Sequence, residues 1–144
     1  MLGSLAKRLR LLGFDVLYDP SLDDNAVLRI SLEQNRIILT RDAGLAARPL
    51  ASNHVLISSD HVDGQARQVL DSGHLQDAEP LSRCSDCNAE LVLLGRNDAR
   101  DRVPGHVHAT VSIFFHCSQC GRVYWRGSHV KNWEGRQRMG RSEE

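Results

Sequence analysis

The chain has 144 residues, 41% of them hydrophobic, and its 18 basic side chains balance 18 acidic ones. That length buries the core of one domain or two small ones, and no run of one charge marks a disordered tract. No apolar stretch reaches the roughly 18 residues of a membrane span, and Lys7, Arg8 and Arg10 interrupt what would have to be the apolar core of a signal peptide. A soluble, cytoplasmic protein with no membrane contact is the expectation, in a reducing compartment where four cysteines favour metal binding over disulfides. The neutral total divides unevenly. Residues 1–80 carry 8 basic and 11 acidic side chains, net −3, and residues 81–144 carry 10 and 7, net +3. A metal-dependent site beside a polyanion-binding surface would suit that division.

Leu2, Leu5, Leu9 and Leu12 recur at spacings of three and four, one stripe of an amphipathic helix that Gly13 stops. Phe14 to Tyr18 is rich in strand formers and runs into the Asp19-Pro20 turn. Ser21 or Asp23 caps a second helix reaching Gln34, and Ile37 to Thr40 is a short apolar run suited to a strand covered on both faces. A short helix over Gly44 to Arg48, a strand over Val55 to Ser58 and a helix over Gly64 to Ser72 complete the alternation. The pattern predicts an α/β fold with a mostly parallel sheet and flanking helices. Ligands of such sheets gather at the carboxyl ends of the strands, where Asp19, Asp42, Ser59 and Asp60 would stand. Composition shifts at Asp77 to Pro80, which divides the chain into an α/β domain over 1–79, a second module over 80–133 and a basic, flexible tail over 134–144.

Cys84-Ser-Asp-Cys87 and Cys117-Ser-Gln-Cys120 are separated by 29 residues. Each tetrapeptide turns tightly enough to aim two thiolates at one point, and two such turns make the four-sulfur tetrahedron that zinc prefers. Gly121 allows the second turn to close under the metal at positive φ. Glu90 to Leu94, Val111 to Phe115 and Val123 to Trp125 read as the short strands of a zinc ribbon. Four thiolates close the coordination shell and leave no position for water, so the zinc is structural rather than catalytic; a redox pair is the weaker rival. His116, beside Cys117, could stand in for a thiolate, although a strand histidine with ordinary partners is the simpler reading.

Among the acids, Asp23, Asp24 and Asp42 stand where a helix begins and a buried strand ends. Carboxylates grouped in this way hold Mg²⁺ or Mn²⁺ for phosphodiester hydrolysis. The same residues would also serve as plain helix caps.

The run Gly3-x-Leu5-Ala6-x-x-Leu9-Arg10-x-Leu12-Gly13-Phe14-Asp15, then Asp24, then Leu39-Thr40-Arg41-Asp42-x-Gly44-Leu45 resembles the Mut-seven C-terminal family of PIN-like RNase domains. The likeness continues through Arg83-Cys84-x-x-Cys87-Asn88, Arg100-Asp101-Arg102-Val103-Pro104, and Cys120-Gly121-Arg122-Val123-Tyr124-Trp125-Arg126-Gly127-Ser128-His129. It implies a PIN-like α/β domain, a four-cysteine zinc ribbon and a metal-dependent endoribonuclease activity. Asp24 matches the family's helix carboxylate, with Asp23 as a neighbouring alternative, and Asp42 matches the Thr-Arg-Asp position; both would hold Mg²⁺ or Mn²⁺. The family usually carries a further carboxylate at the end of a first strand just ahead of the segment matching Met1-Leu2-Gly3, where this sequence begins; the expectation is either a true start further upstream or a site that lacks this edge. Asp19, Asp60 or Asp63 would have to substitute for it.

RNA is the expected partner, and no protein partner is assigned. Lys7, Arg8 and Arg41 near the rim, and Arg100, Arg102, Arg122 and Arg126 in the ribbon, are candidates for gripping phosphates. Lys131, Arg136, Arg138 and Arg141 follow. Tyr124, Trp125 and Trp133 could stack bases, and Trp125 could equally pack over the zinc turns. The competing reading is a non-catalytic RNA-binding or RNA-processing accessory protein with a degenerate site. A purely protein-binding zinc module leaves the α/β half unexplained.

Overall fold

The computed structural model describes residues 2–75 and 77–127. The tail over 134–144, together with His129, Lys131 and Trp133, lies outside the described residues. The chain forms two compact units. Among the described residues, one joins residues 2–5 with residues 18–75, and the other joins Ala6–Leu17 with residues 77–127.

The first helix, α1 (Gly3–Leu11), carries the expected leucine stripe, with Leu5 and Leu9 each 1% exposed. Gly13 follows at φ +99, where an added Cβ would stand 2.1 Å from the Glu79 carbonyl oxygen, so only glycine fits. The strand expected over Phe14 to Tyr18 does not form. Side chains claim its backbone instead: Asn88 Oδ1 accepts from the Val16 amide at 3.0 Å, and the Val16 carbonyl accepts from Arg10 Nε and Nη2 at 3.0 and 2.9 Å. Strand propensity reports a pleated, half-buried surface, and these donors and acceptors take the place of a neighbouring strand.

In the first unit, α2 (Asp24–Gln34) starts at the Asp23 cap and ends at Asn35, which adopts the left-handed conformation. Its Leu28 packs with Ile38, Leu45 and Ala51 in one apolar cluster. The strands β1 (Ile38–Thr40) and β2 (His54–Leu56) pair in parallel, Leu39 opposite Val55, and Ile57 N donates to Thr40 O at 2.7 Å. Between them lie the short α3 (Ala43–Ala46) and a 3-10 turn, Pro49–Ala51. Helix α4 (Val62–Asp71) buries Gln65, Ala66 and Val69. Its Gln68 Oε1 accepts from the amides of Ser58 and Ser59 at 3.0 Å each, which fixes the chain where it leaves β2. The α/β alternation expected from sequence is present as a small parallel sheet with helices.

In the second unit, β3 (Val92–Leu94), β4 (Phe114–His116) and β5 (Val123–Trp125) form an antiparallel sheet in the order β3-β4-β5. The strand expected from Val111 starts only at Phe114. Two helices that periodicity does not reveal, α5 (Arg96–Ala99) and α6 (Gly105–Thr110), fill the long connection between β3 and β4. Phe114, 1% exposed, packs with Ala99 and Val107 and meets the Trp125 ring edge-on at 6.5 Å. A second cluster joins Leu81 and Tyr124 to Cys84 and Cys117.

Candidate metal centre and carboxylate rim

Each Cys-x-x-Cys closes by the same local rule. Cys84 N donates to Ala89 O at 2.9 Å and Asn88 N to Cys84 O at 3.0 Å; Cys117 N donates to Arg122 O at 3.0 Å and Gly121 N to Cys117 O at 2.8 Å. The residue after the second cysteine is left-handed in both turns, Asn88 at φ 63 and Gly121 at φ 78. Asparagine and glycine tolerate that conformation best.

The two turns bring Cys84, Cys87, Cys117 and Cys120 together with all four sulfurs within 4.8 Å of one another. Cys84 Sγ and Cys120 Sγ lie 3.7 Å apart. A zinc tetrahedron with Zn–S bonds of ~2.3 Å requires sulfurs ~3.8 Å apart. The cluster can therefore hold a metal ion such as zinc, with the ribbon sheet built around it.

Charge supports the same use. Four thiolates on one divalent ion leave a net charge of −2, and cations stand around the turns. Arg122 pairs with Asp86 at 2.9 Å and Lys7 with the same carboxylate at 3.5 Å. Arg102 donates to the Gly121 carbonyl, and Arg10 Nη1 donates to Ser85 O at 2.9 Å. Cys84 and Cys87 are shifted in opposite directions. Burial pushes the Cys84 thiol up, but hydrogen bonds from the Tyr124 hydroxyl and the Cys87 and Asp86 amides outweigh it and bring Cys84 down to about 7. Cys87, which donates toward Cys120 and is partly desolvated, is raised to about 12. Tyr124 is raised to about 12, first by burial and then by its bond to Cys84.

Tyr124, a base-stacking candidate from sequence, is 9% exposed and its hydroxyl lies 3.2 Å from Cys84 Sγ. It faces the sulfur cluster, so the stacking expectation is corrected. Trp125 is half-buried against Phe114. His116 is half-buried on β4 and is no member of the cluster. Arg8 is 8% exposed, Arg126 is exposed, and Arg41 pairs with Asp60 at 2.6 Å, which draws the Asp60 carboxyl below its usual range.

The carboxylates of the first unit are placed by helix starts. Asp23 Oδ1 accepts from Ala26 N at 2.8 Å. Asp42 Oδ1 accepts from Gly44 N at 2.8 Å and from Leu45 N at 3.3 Å. Asp24 occupies the first turn of α2, exposed to solvent. The neighbouring Asn25 Oδ1 accepts from Arg48 Nη2 at 3.1 Å, which ties that first turn to the segment just after α3. Asp42 follows the carboxyl end of β1 and Asp60 that of β2. Among the described residues, the cysteines are the one group of three or more His, Cys, Asp or Glu whose ligand atoms come close enough to share an ion. Asp24 and Asp42 are thus not members of such a group among the described residues.

Arg10, Asp86 and Asn88 carry the surroundings of the sulfur cluster, yet no spacing rule marks them in the sequence, because their partners lie more than 30 residues away. No curated relative and no solved structure matches the chain. The family model described as the Mut7-C RNAse domain matches residues 1–137, and that span takes in the strand-end carboxylates, the linker and both cysteine pairs. The chain belongs to the Mut7-C RNAse domain family.

Proposed function

We propose that the protein is a divalent-metal-dependent endoribonuclease that hydrolyses RNA phosphodiester bonds through Asp24 and Asp42, on a scaffold stapled by structural zinc in the ribbon. The observation that supports this reading is the family match over residues 1–137; Asp24 and Asp42 are the carboxylates that the sequence resemblance assigns to the nuclease site.

The residues fit a hard cation. Mg²⁺ and Mn²⁺ take oxygen ligands, and Mg²⁺ in phosphate chemistry commonly uses one or two carboxylates together with water and substrate oxygens. The bonds to the α3 amides engage Asp42 Oδ1 and hold the carboxylate in one orientation, with Oδ2 left for a cation. Asp24, exposed at the start of α2, supplies the second carboxylate, and Asp23, engaged as a cap, is its neighbouring alternative. Such an ion supplies Lewis acidity and an activated water. Arg41, paired with Asp60, can exchange that partner for a phosphate oxygen and position the backbone of the RNA. Lys7, Arg102, Arg122 and Arg126 of the ribbon unit add sequence-independent attraction, and Trp125, half-buried, is the candidate for stacking an unpaired base.

Incubation of labelled single-stranded and structured RNA with the purified protein in Mn²⁺ tests the proposal. Cleavage that stops in EDTA, resumes with Mn²⁺ and leaves 5′-phosphate and 3′-hydroxyl ends is the expected result; 2′,3′-cyclic phosphate ends would overturn it. That no group of three or more carboxylates forms among the described residues favours one alternative, an RNA-binding accessory protein. Salt-dependent RNA binding without cleavage in any divalent metal would establish that alternative.

A further inference from the structure

The first cysteine turn is gripped from two sides by groups that are not ligands. From β5, the Tyr124 hydroxyl lies 3.2 Å from Cys84 Sγ and 3.0 Å from both the amide and the hydroxyl of Ser85. A metal-bound Cys84 is a thiolate and only accepts, so the single phenolic proton goes to the sulfur, and the oxygen accepts from Ser85 N and Ser85 Oγ. From α1, Arg10 spends its fork on backbone. Nη1 donates to Ser85 O at 2.9 Å and more weakly to Asp86 O at 3.4 Å, while Nε and Nη2 donate to Val16 O. Ser85 and Asp86 are the two residues between the ligands Cys84 and Cys87. Arg10 is 8% exposed, although nothing in a helix of this length requires an arginine to be buried.

Two further contacts bind the same N-terminal stretch to the turn. Asn88, the left-handed residue that closes it, donates from Nδ2 to Asp15 at 2.7 Å and accepts from Val16 N. Leu81 N, just ahead of the turn, donates to Leu11 O at 2.8 Å. We infer that Tyr124 and Arg10 are positioning residues of the metal centre, and that residues 6–17 are ordered by metal binding as an integral part of it. Outer groups that hold a ligand's orientation and charge are worth roughly 10- to 100-fold in metal affinity. The inference is independent of whether the chain cleaves RNA.

The test uses the full zinc-loaded protein. Zinc release to a chelating dye is timed for the wild type, Tyr124→Phe and Arg10→Lys, and the thiolate-to-metal absorption is recorded after Co²⁺ replaces zinc. Tyr124→Phe keeps the ring and removes one proton donor; release is expected to quicken about 10-fold and the sulfur-to-cobalt band to move to lower energy, because the sulfur lone pair loses its hydrogen bond. Lysine keeps the charge of Arg10 but cannot span Val16 O and Ser85 O together, so Arg10→Lys is expected to release zinc faster with an unmoved band. Unchanged release in both variants would overturn the positioning roles. Amide exchange on the wild type covers the case in which a variant misfolds. Residues 6–17 are expected to lose protection together with residues 81–94 when zinc is stripped, and protection retained over 6–17 would overturn the linkage.

Discussion

Asp42 caps α3 and is proposed to hold the catalytic cation, and a single substitution can separate the two. Its Oδ1 caps α3, a task asparagine performs equally well, whereas alanine loses it at a cost of ~1 kcal/mol. Chemical denaturation should therefore find Asp42→Asn at wild-type stability and Asp42→Ala lower by that amount. Gly13 makes the opposite kind of demand, since φ +99 and the Glu79 carbonyl 2.1 Å from an added Cβ leave no room for any side chain. Gly13→Ala should cost at least ~2 kcal/mol, read from the same denaturation curves, because a strained backbone and a backbone clash act together. The glycine's role as a helix stop was legible from the leucine stripe that it ends. The cap at Asp23 was also legible, because capping residues act on amides two or three positions away. The tasks of Arg10 and Tyr124 were not, because each is defined by atoms far along the chain.

Elements reveal themselves in sequence to the degree that their cause is local. Ile37 to Thr40 reads as a buried strand since a continuous apolar run has few other uses, and β1 stands there. The two cysteine turns were legible because four thiolates converge on a metal by chemistry alone. Phe14 to Tyr18 has strand composition without a strand partner, and α5 and α6 are too short for a periodicity of 3.6 to show itself. The sulfur cluster also sets a pH dependence. Zinc takes thiolates, and in the metal-free protein Cys87 is raised to about 12 and Cys120 is raised as well. For an acid held above its ordinary value, the folded metal-free form binds protons more tightly than the unfolded chain, so this part of its stability is present below the unfolded value and is lost as pH rises toward the folded one. The zinc-loaded form behaves oppositely, because protons compete with the metal. Zinc affinity, measured by competition with a chelator, should rise steadily from about pH 6 to about pH 8.

At the scale of the whole molecule, one chain combines two ways of stabilising small units. The first unit relies on an apolar cluster of Leu28, Ile38, Leu45 and Ala51 between helices and a two-stranded parallel sheet. The second relies on sulfur, with Cys84 and Cys117 fully buried beside Leu81 and Tyr124. A module with so small a core loses much of its folding free energy with its metal, so stripping zinc should lower the melting temperature of the protein and restoring zinc should recover it, as calorimetry would record. The alternation of helices and strands and the sulfur cluster were readable in advance, whereas the grouping of residues 6–17 with the second unit depends on long-range hydrogen bonds that no local pattern encodes. Asp42→Asn tests the proposed hydrolysis at the carboxylates directly, because asparagine preserves the cap and removes only the charge. The decisive measurement is the rate of labelled-RNA cleavage in Mn²⁺ by wild type and Asp42→Asn at matched stability. A loss of 100-fold or more in the variant, with RNA binding retained, is the predicted result; equal rates in the two proteins would exclude Asp42 from the reaction.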